Sequence, residues 1–216
     1  MSSFRAIAID GPAASGKSTV ARRLAEDWGL TMVNSGAMYR AVTWEVLRRG
    51  IDPTRQEDVE GLLSEVNWGC QVRDGQTVMI VDEVEPTMEQ LKSDEVNAAV
   101  SFVAALPKVR ELLVAKQREF LNQSDLVMEG REIGTVVFPT TPFKVFVTAR
   151  EEVRRQRRAA EGADDAVMER DKRDSERKNS PLRKSEGAFE VDSSEMGVED
   201  VVAEVKKELV KLGWKA

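Results

Sequence analysis

The segment Gly11-Pro12-Ala13-Ala14-Ser15-Gly16-Lys17-Ser18 fits the phosphate-loop pattern G-x-x-x-x-G-K-[ST] at every fixed position. Its flanks agree with it. Ala6-Ile7-Ala8-Ile9 reads as a short buried strand, and Thr19 to Trp28 reads as a helix. A strand, a glycine-bearing turn and a helix start aim successive backbone N–H groups inward, where the helix N-terminus adds partial positive charge. Lys17 can then reach the β- and γ-phosphates of a nucleoside triphosphate, and the Ser18 hydroxyl can bind Mg²⁺. The run from Gly11 to Thr19 is the expected triphosphate site.

Strands and helices continue to alternate. Val20, Leu24 and Trp28 form an apolar stripe on the first helix, and Gly29 stands where a left-handed helix end belongs. Thr31-Met32-Val33 predicts a strand, and a second helix runs from about Gly36 to Arg49, stopping at Gly50. Thr54-Arg55-Gln56-Glu57 reads as a capping box for a third helix. Trp68, Cys70 and Val72 then alternate with polar residues, Asp74-Gly75 marks a turn and Thr77 to Val81 makes the return strand, with Val84-Glu85 as a third short piece. Ser93 can cap a helix, and Pro107 opens another. Leu126-Val127-Met128, Lys144 to Val147 and Ala188 to Val191 are further strands before a closing helix that carries Val201, Val205 and Leu209. Such alternation predicts an α/β domain of three layers, α/β/α, around a five-stranded parallel sheet, with a small antiparallel insert. The 216 residues suit one domain.

Two absences narrow the chemistry. The chain has no histidine, which removes histidine bases, triads and metal ligands, and its one cysteine, Cys70, cannot form an intrachain disulfide. A metal must be held by oxygen ligands, which suits Mg²⁺. The net charge of −6 argues against a long-range pull on nucleic acid. No apolar run reaches membrane-spanning length, and the first ten residues lack the pattern of a secretory signal, so a cytoplasmic location is expected.

A phosphate loop alone is shared by motors, switches and kinases. The chain lacks an N-K-x-D guanine-reading tetrapeptide, which weakens the GTP-switch reading. Four segments discriminate further: Ile9 to Ser18; Ser35-Gly36-Ala37-Met38-Tyr39-Arg40; Glu129-Gly130-Arg131-Glu132-Ile133-Gly134-Thr135-Val136-Val137-Phe138-Pro139; and Arg170-Asp171-Lys172-Arg173-Asp174 with Arg177. On these segments the chain resembles the bacterial cytidylate kinases, nearly end to end, and the third segment is the most specific. The resemblance implies a single phosphate-loop kinase domain over 1–216, with a monophosphate-binding insert at about 66–100 and a short helical lid at about 150–178. It implies transfer of the γ-phosphoryl group of ATP to CMP or dCMP with Mg²⁺, by a monomer that binds neither nucleic acid nor membrane. Kinases with another acceptor, such as UMP, AMP or shikimate, are the nearest rivals, and a nucleotide-dependent switch is a rival of a different class.

The residue roles follow from the same resemblance. Arg40 and Arg131 match positions that grip the acceptor phosphate, Ser35 and Tyr39 match a substrate-lining segment, and Ser101, Arg110 and Glu132 match the base-contacting positions. Arg170 and Asp174 match ribose contacts, and Arg177 serves the transfer region. Arg154, Arg157 and Arg158 share one helix face in the lid and are expected to fold over the transferring phosphate. Plainer readings stand beside these. Arg40 and the 154–158 face could be solvated, Tyr39 could simply pack, Arg177 could be in a structural ion pair, and the charge run at 169–178 could be a solvated helix. Two positions depart from the family's usual aspartate: Asn34 and Glu132. By strand position, Asp10 and Glu129 lie near the metal–triphosphate site, to organise metal-bound water or to act structurally.

Overall fold

Along β1 (Ala6–Asp10) every residue is buried, and its two faces differ in kind. Ala6 and Ala8 pack into one hydrophobic cluster, whereas Ile7 and Ile9 pack into another. A strand shows alternate side chains to opposite faces, so a strand apolar on both is one covered by helices on both sides. This computed structural model, which describes residues 4–160, 174 and 181–215, bears that out.

On the isoleucine face lie α1 (Lys17–Trp28) and α8 (Val198–Lys211), with Leu24, Val205, Leu209 and Trp214 in the shared core. On the alanine face lie α2 (Ser35–Arg48), α3 (Gln56–Glu65), α5 (Asp94–Val103) and α6 (Pro107–Glu119), with Met38, Val42, Leu62, Val100 and Leu113 in that core. The short α4 (Met88–Leu91) carries a full capping box from Thr87 and Gln90. Gly29, at φ 64°, closes α1 in the left-handed conformation, and Ser93 accepts from the Val96 amide to cap α5.

Five strands run parallel in the order β2 (Thr31–Asn34), β5 (Leu126–Gly130), β1, β6 (Lys144–Thr148), β7 (Phe189–Asp192). The sheet does not stop there, and this corrects the expected five strands to seven. The hairpin of β3 (Trp68–Arg73) and β4 (Gln76–Val81) joins it at the β2 edge, where the Met32 amide donates to the Gly75 carbonyl at 2.7 Å. Trp68, Met79 and Val81 are buried in the alanine-face core, which welds the hairpin to the sheet. Two smaller expectations also fail. Thr54 does not cap α3, since the helix begins at Gln56 with Arg55 at its N-cap. Val84 makes only an isolated bridge to Val81.

The register sets the next step. Asp10 pairs with Gly130, Asn34 with Glu129 and Thr148 with Asp192, so the C-terminal ends of all five parallel strands share one edge. Ligands of such sheets bind at that edge. Among the described residues no helix is long and apolar enough to cross a membrane.

Candidate active site

Gly11 opens the phosphate loop directly after β1. A Cβ there would lie 2.0 Å from the Val147 carbonyl oxygen, so only glycine lets the chain pass this close to β6. Gly16 (φ 89°) and Ala14 (φ 57°) adopt left-handed backbone, freely for the glycine and with strain for the alanine. Contacts on the outer side hold them. Arg154 donates to the Ala13 carbonyl at 3.3 Å, Arg157 to the Ala14 carbonyl at 3.3 Å, and the Ser193 hydroxyl to the Ser15 carbonyl at 2.9 Å. Arg157 also donates to the hydroxyl and carbonyl oxygens of Ser193, at 2.9 and 2.8 Å. The C=O and N–H of one trans peptide point in opposite directions. Carbonyls bound on the outside therefore turn the N–H groups of Ala14, Ser15 and Gly16 inward.

Lys17 is buried at the first turn of α1 and donates to the Pro12 carbonyl at 3.0 Å. The Ser18 hydroxyl donates to a carboxylate oxygen of Glu129, at the end of β5, at 2.9 Å. Hydroxyl beside carboxylate is a donor set for a hard cation such as Mg²⁺. Among the described residues there is no group of three or more acidic, cysteine or histidine side chains able to hold a metal by itself. Such an ion would need phosphate oxygens and water to complete its shell. Asp10 is engaged elsewhere. Its two oxygens accept from the Ile133 and Gly134 amides, at 2.7 and 2.8 Å. Burial pushes its carboxyl up to about 6 against the hold of the two amides; the Glu132 charge raises it further and the Arg131 charge lowers it.

A cavity of about 650 Å³ sits at the strand ends, and its wall includes Lys17, Ser18, Thr19, Ser35, Ser101 and Glu132. Arg40, Arg131 and Arg158 line it too. Arg40 donates to the Leu91 carbonyl at 2.9 Å and to the Asn97 amide oxygen at 2.7 Å. Burial, then the positive charges of Arg158 and Arg131, bring its guanidinium down to about 10. Arg131 donates to the carboxylate of Asp174 at 3.0 Å. Three guanidinium groups lining one cavity suit a polyanion, since each can donate to phosphate oxygens.

On the same wall Glu132 is 3% exposed, and one of its oxygens accepts from the Tyr39 hydroxyl at 3.1 Å and from Arg110 at 2.5 Å. Arg110 also donates to the Ala104 carbonyl at 3.0 Å. Tyr39 packs in the core and its hydroxyl donates to this carboxylate. The Ser35 hydroxyl donates to the Glu129 carbonyl at 2.8 Å. Asn34 caps α2 by accepting from the Ala37 amide at 2.9 Å.

Of the expected lid arginines, on α7 (Glu151–Ala160), only Arg158 reaches the cavity wall. Arg154 and Arg157 stand behind the loop and hold its carbonyls. Arg170 and Arg177 lie outside the described residues. Two contributors were missed: Ser193, which no motif marks, and Asn97, which seats Arg40. The only sequence signal for Ser193 was its place just beyond the last strand end.

A phosphate loop after the first strand of a parallel sheet, opening on an arginine-lined cavity, defines the phosphate-loop kinase class. The fold is similar to that of a solved gluconokinase from Sinorhizobium meliloti 1021, with a TM-score of 0.53 at 15% identity, covering 98% of this chain and 95% of that one. Sequence resolves the family within the class: the chain belongs to the cytidylate kinases, whose family model matches residues 7–211. It is 39% identical to the cytidylate kinase of Pseudomonas aeruginosa (strain LESB58) over 96% of both chains. It is 40% identical to that of Streptococcus sanguinis (strain SK36), over 95% of this chain and 96% of the relative.

Proposed function

We propose that this protein transfers the γ-phosphoryl group of ATP to CMP or dCMP, giving ADP and CDP or dCDP. The observation that carries the reading is one cavity whose wall unites Lys17 and the phosphate loop with Glu132 and Ser101, and with Arg40, Arg131 and Arg158. An oxygen of the CMP phosphate attacks the γ-phosphorus, and the bond to the oxygen bridging it to the β-phosphate breaks, so that ADP leaves. A phosphate monoester loses its second proton at a pKa near about 6, so it is already a nucleophile at neutral pH. No general base is needed, in keeping with a chain without histidine. Residues do the remaining work by position and charge.

The inward amides of the phosphate loop and Lys17 hold the β- and γ-phosphates. Ser18, with Glu129 beside it, would hold Mg²⁺, which would neutralise phosphate charge. Arg40 and Arg131 grip the acceptor phosphate, and Arg158 covers the transfer region together with Arg177. Arg154 and Arg157 act one step back, by fixing the loop that the phosphates touch. Ser35 and Tyr39 shape the acceptor side, and Arg170 and Asp174 serve the ribose. Glu132 accepts from the cytosine amino group, while Arg110 and Ser101 serve the ring acceptors. Uracil presents an acceptor where cytosine presents that donor, which leaves it repelled by the carboxylate. The segment at about 66–100 acts as the monophosphate-binding insert and 150–178 as the lid, whose closure excludes water. The protein works as a cytoplasmic monomer on two small-molecule substrates.

An acceptor panel at fixed ATP and Mg²⁺ tests the reading. CMP and dCMP should give diphosphates well ahead of UMP, AMP and shikimate. Absence of CDP above the blank would refute it.

A further inference from the structure

Asp10 is the last residue of β1, and Gly11 begins the phosphate loop immediately after it. Its side chain nevertheless turns toward the other substrate's turn. It is 2% exposed, and each of its oxygens takes one amide, Ile133 at 2.7 Å and Gly134 at 2.8 Å. Those amides open the π turn Ile133–Val137, and the residues just before it are Arg131 and Glu132. We infer that Asp10 is a positioning residue for the acceptor site, tying the end of β1 to the turn that presents Arg131 and Glu132. The inference rests on the acceptor-side roles proposed above for those two residues.

The surroundings favour a specific tie over general packing. A Cβ on Gly134 would stand 2.7 Å from the Ser185 hydroxyl and 3.3 Å from the Asp10 carboxylate, so the turn is seated on Asp10 without slack. Two N–H groups at the start of a helical turn prefer an ionised carboxylate, whose single charge is shared by the two accepting oxygens. Glu132 is in turn fixed from its other side by Tyr39 and Arg110. The phosphate loop has its own supports in Arg154, Arg157 and Ser193. Loss of the Asp10 carboxylate should therefore fall on the acceptor, although its neighbour in sequence is the donor loop.

The test is Asp10→Asn, which keeps the shape but sets an amide N–H₂ against one of the two backbone N–H groups. Expected is a rise in KM for CMP on the order of tenfold, as for loss of a charge-assisted bond, with a narrowed preference for CMP over UMP. The KM for ATP should move by less than about threefold, because its loop is held elsewhere. An unchanged KM for CMP and unchanged CMP:UMP ratio would overturn the inference, as would an equal rise in both KM values. If the variant does not fold, amide hydrogen exchange in the wild-type protein decides. Slow exchange at Ile133 and Gly134 supports the tie, and exchange as fast as in an open loop refutes it. A wild-type protein that makes no CDP would defeat the site reading alone, since the exchange measurement still reports on Asp10.

Discussion

Arg110 donates to Glu132 at 2.5 Å in a pair buried on both sides, with Tyr39 on the same carboxylate oxygen. A buried guanidinium is tolerated because this carboxylate answers it. Glu132→Gln keeps the shape and removes the charge, and so leaves Arg110 buried without its counter-ion. The expected cost is about 3 kcal/mol of stability. With the proposed acceptor for the cytosine amino group weakened, kcat/KM for CMP should fall about 100-fold, and that for UMP by much less. Urea unfolding and the acceptor panel measure the two effects separately.

The backing of the phosphate loop gives a second prediction. The Ser193 hydroxyl donates to the Ser15 carbonyl and receives a bond from Arg157. Ser193→Ala removes both and frees the carbonyl to turn inward, where it would face a phosphate. The KM for ATP should rise on the order of tenfold, with the KM for CMP little changed. Steady-state kinetics with each substrate varied in turn separates these. A rise confined to CMP would count against the bracing role.

Much of this architecture was legible because it is local. The phosphate loop, the strand on either side of Asp74-Gly75, the cap at Ser93 and the proline start of α6 each depend on a few neighbouring residues, and each stands where the sequence put it. The alternation of Ala and Ile along β1 carried the two-sided burial. What the sequence hid depends on partners far along the chain. The hairpin's union with the sheet rests on Met32 meeting Gly75, and the support of the loop rests on Ser193 reaching Ser15. Arg154, Arg157 and Arg158 show the limit well. Helical spacing put them near one face, but only the packing of α7 against the loop sends the first two to carbonyls and the third to the cavity. Thr54 failed as a cap because α3 starts one residue further on, with Arg55 at its N-cap.

Asp10 also makes stability depend on pH. Its carboxyl, ordinarily at 3.8, is pushed up to about 6 by burial, against the two amides that hold it down. A raised value in an acid means that folding favours the protonated form. The contribution is therefore fully present below 3.8 and is lost as pH rises through about 6. A shift of about two units corresponds to at most about 3 kcal/mol. Asp10→Asn has nothing to titrate at this position. Between about pH 7.5 and about pH 5 the wild type should gain about 1.4 kcal/mol relative to that variant, roughly half of the full amount, the rest appearing only as pH falls toward 3.8. Paired urea melts across the range measure it, and a difference that stays flat with pH would show that burial does not raise this carboxyl.

Two glycines in left-handed or near-extended positive-φ backbone allow a sharper contrast. At Gly29, φ 64°, an added Cβ meets nothing within 4 Å, so Gly29→Ala should cost only the backbone strain, about 1 kcal/mol. At Gly11 the added Cβ would stand 2.0 Å from the Val147 carbonyl oxygen, a backbone atom. β6 cannot retreat, because Val147 is fully buried and pairs in register with Val191 of β7. The loop must move instead, away from the carbonyl contacts with Arg154, Arg157 and Ser193. Gly11→Ala should therefore lower stability by about 2–3 kcal/mol and weaken ATP far more than CMP. Thermal unfolding with ATP titration by calorimetry compares the two variants. Equal behaviour of both would mean that strain alone, and not the close passage of the loop past β6, fixes glycine at position 11.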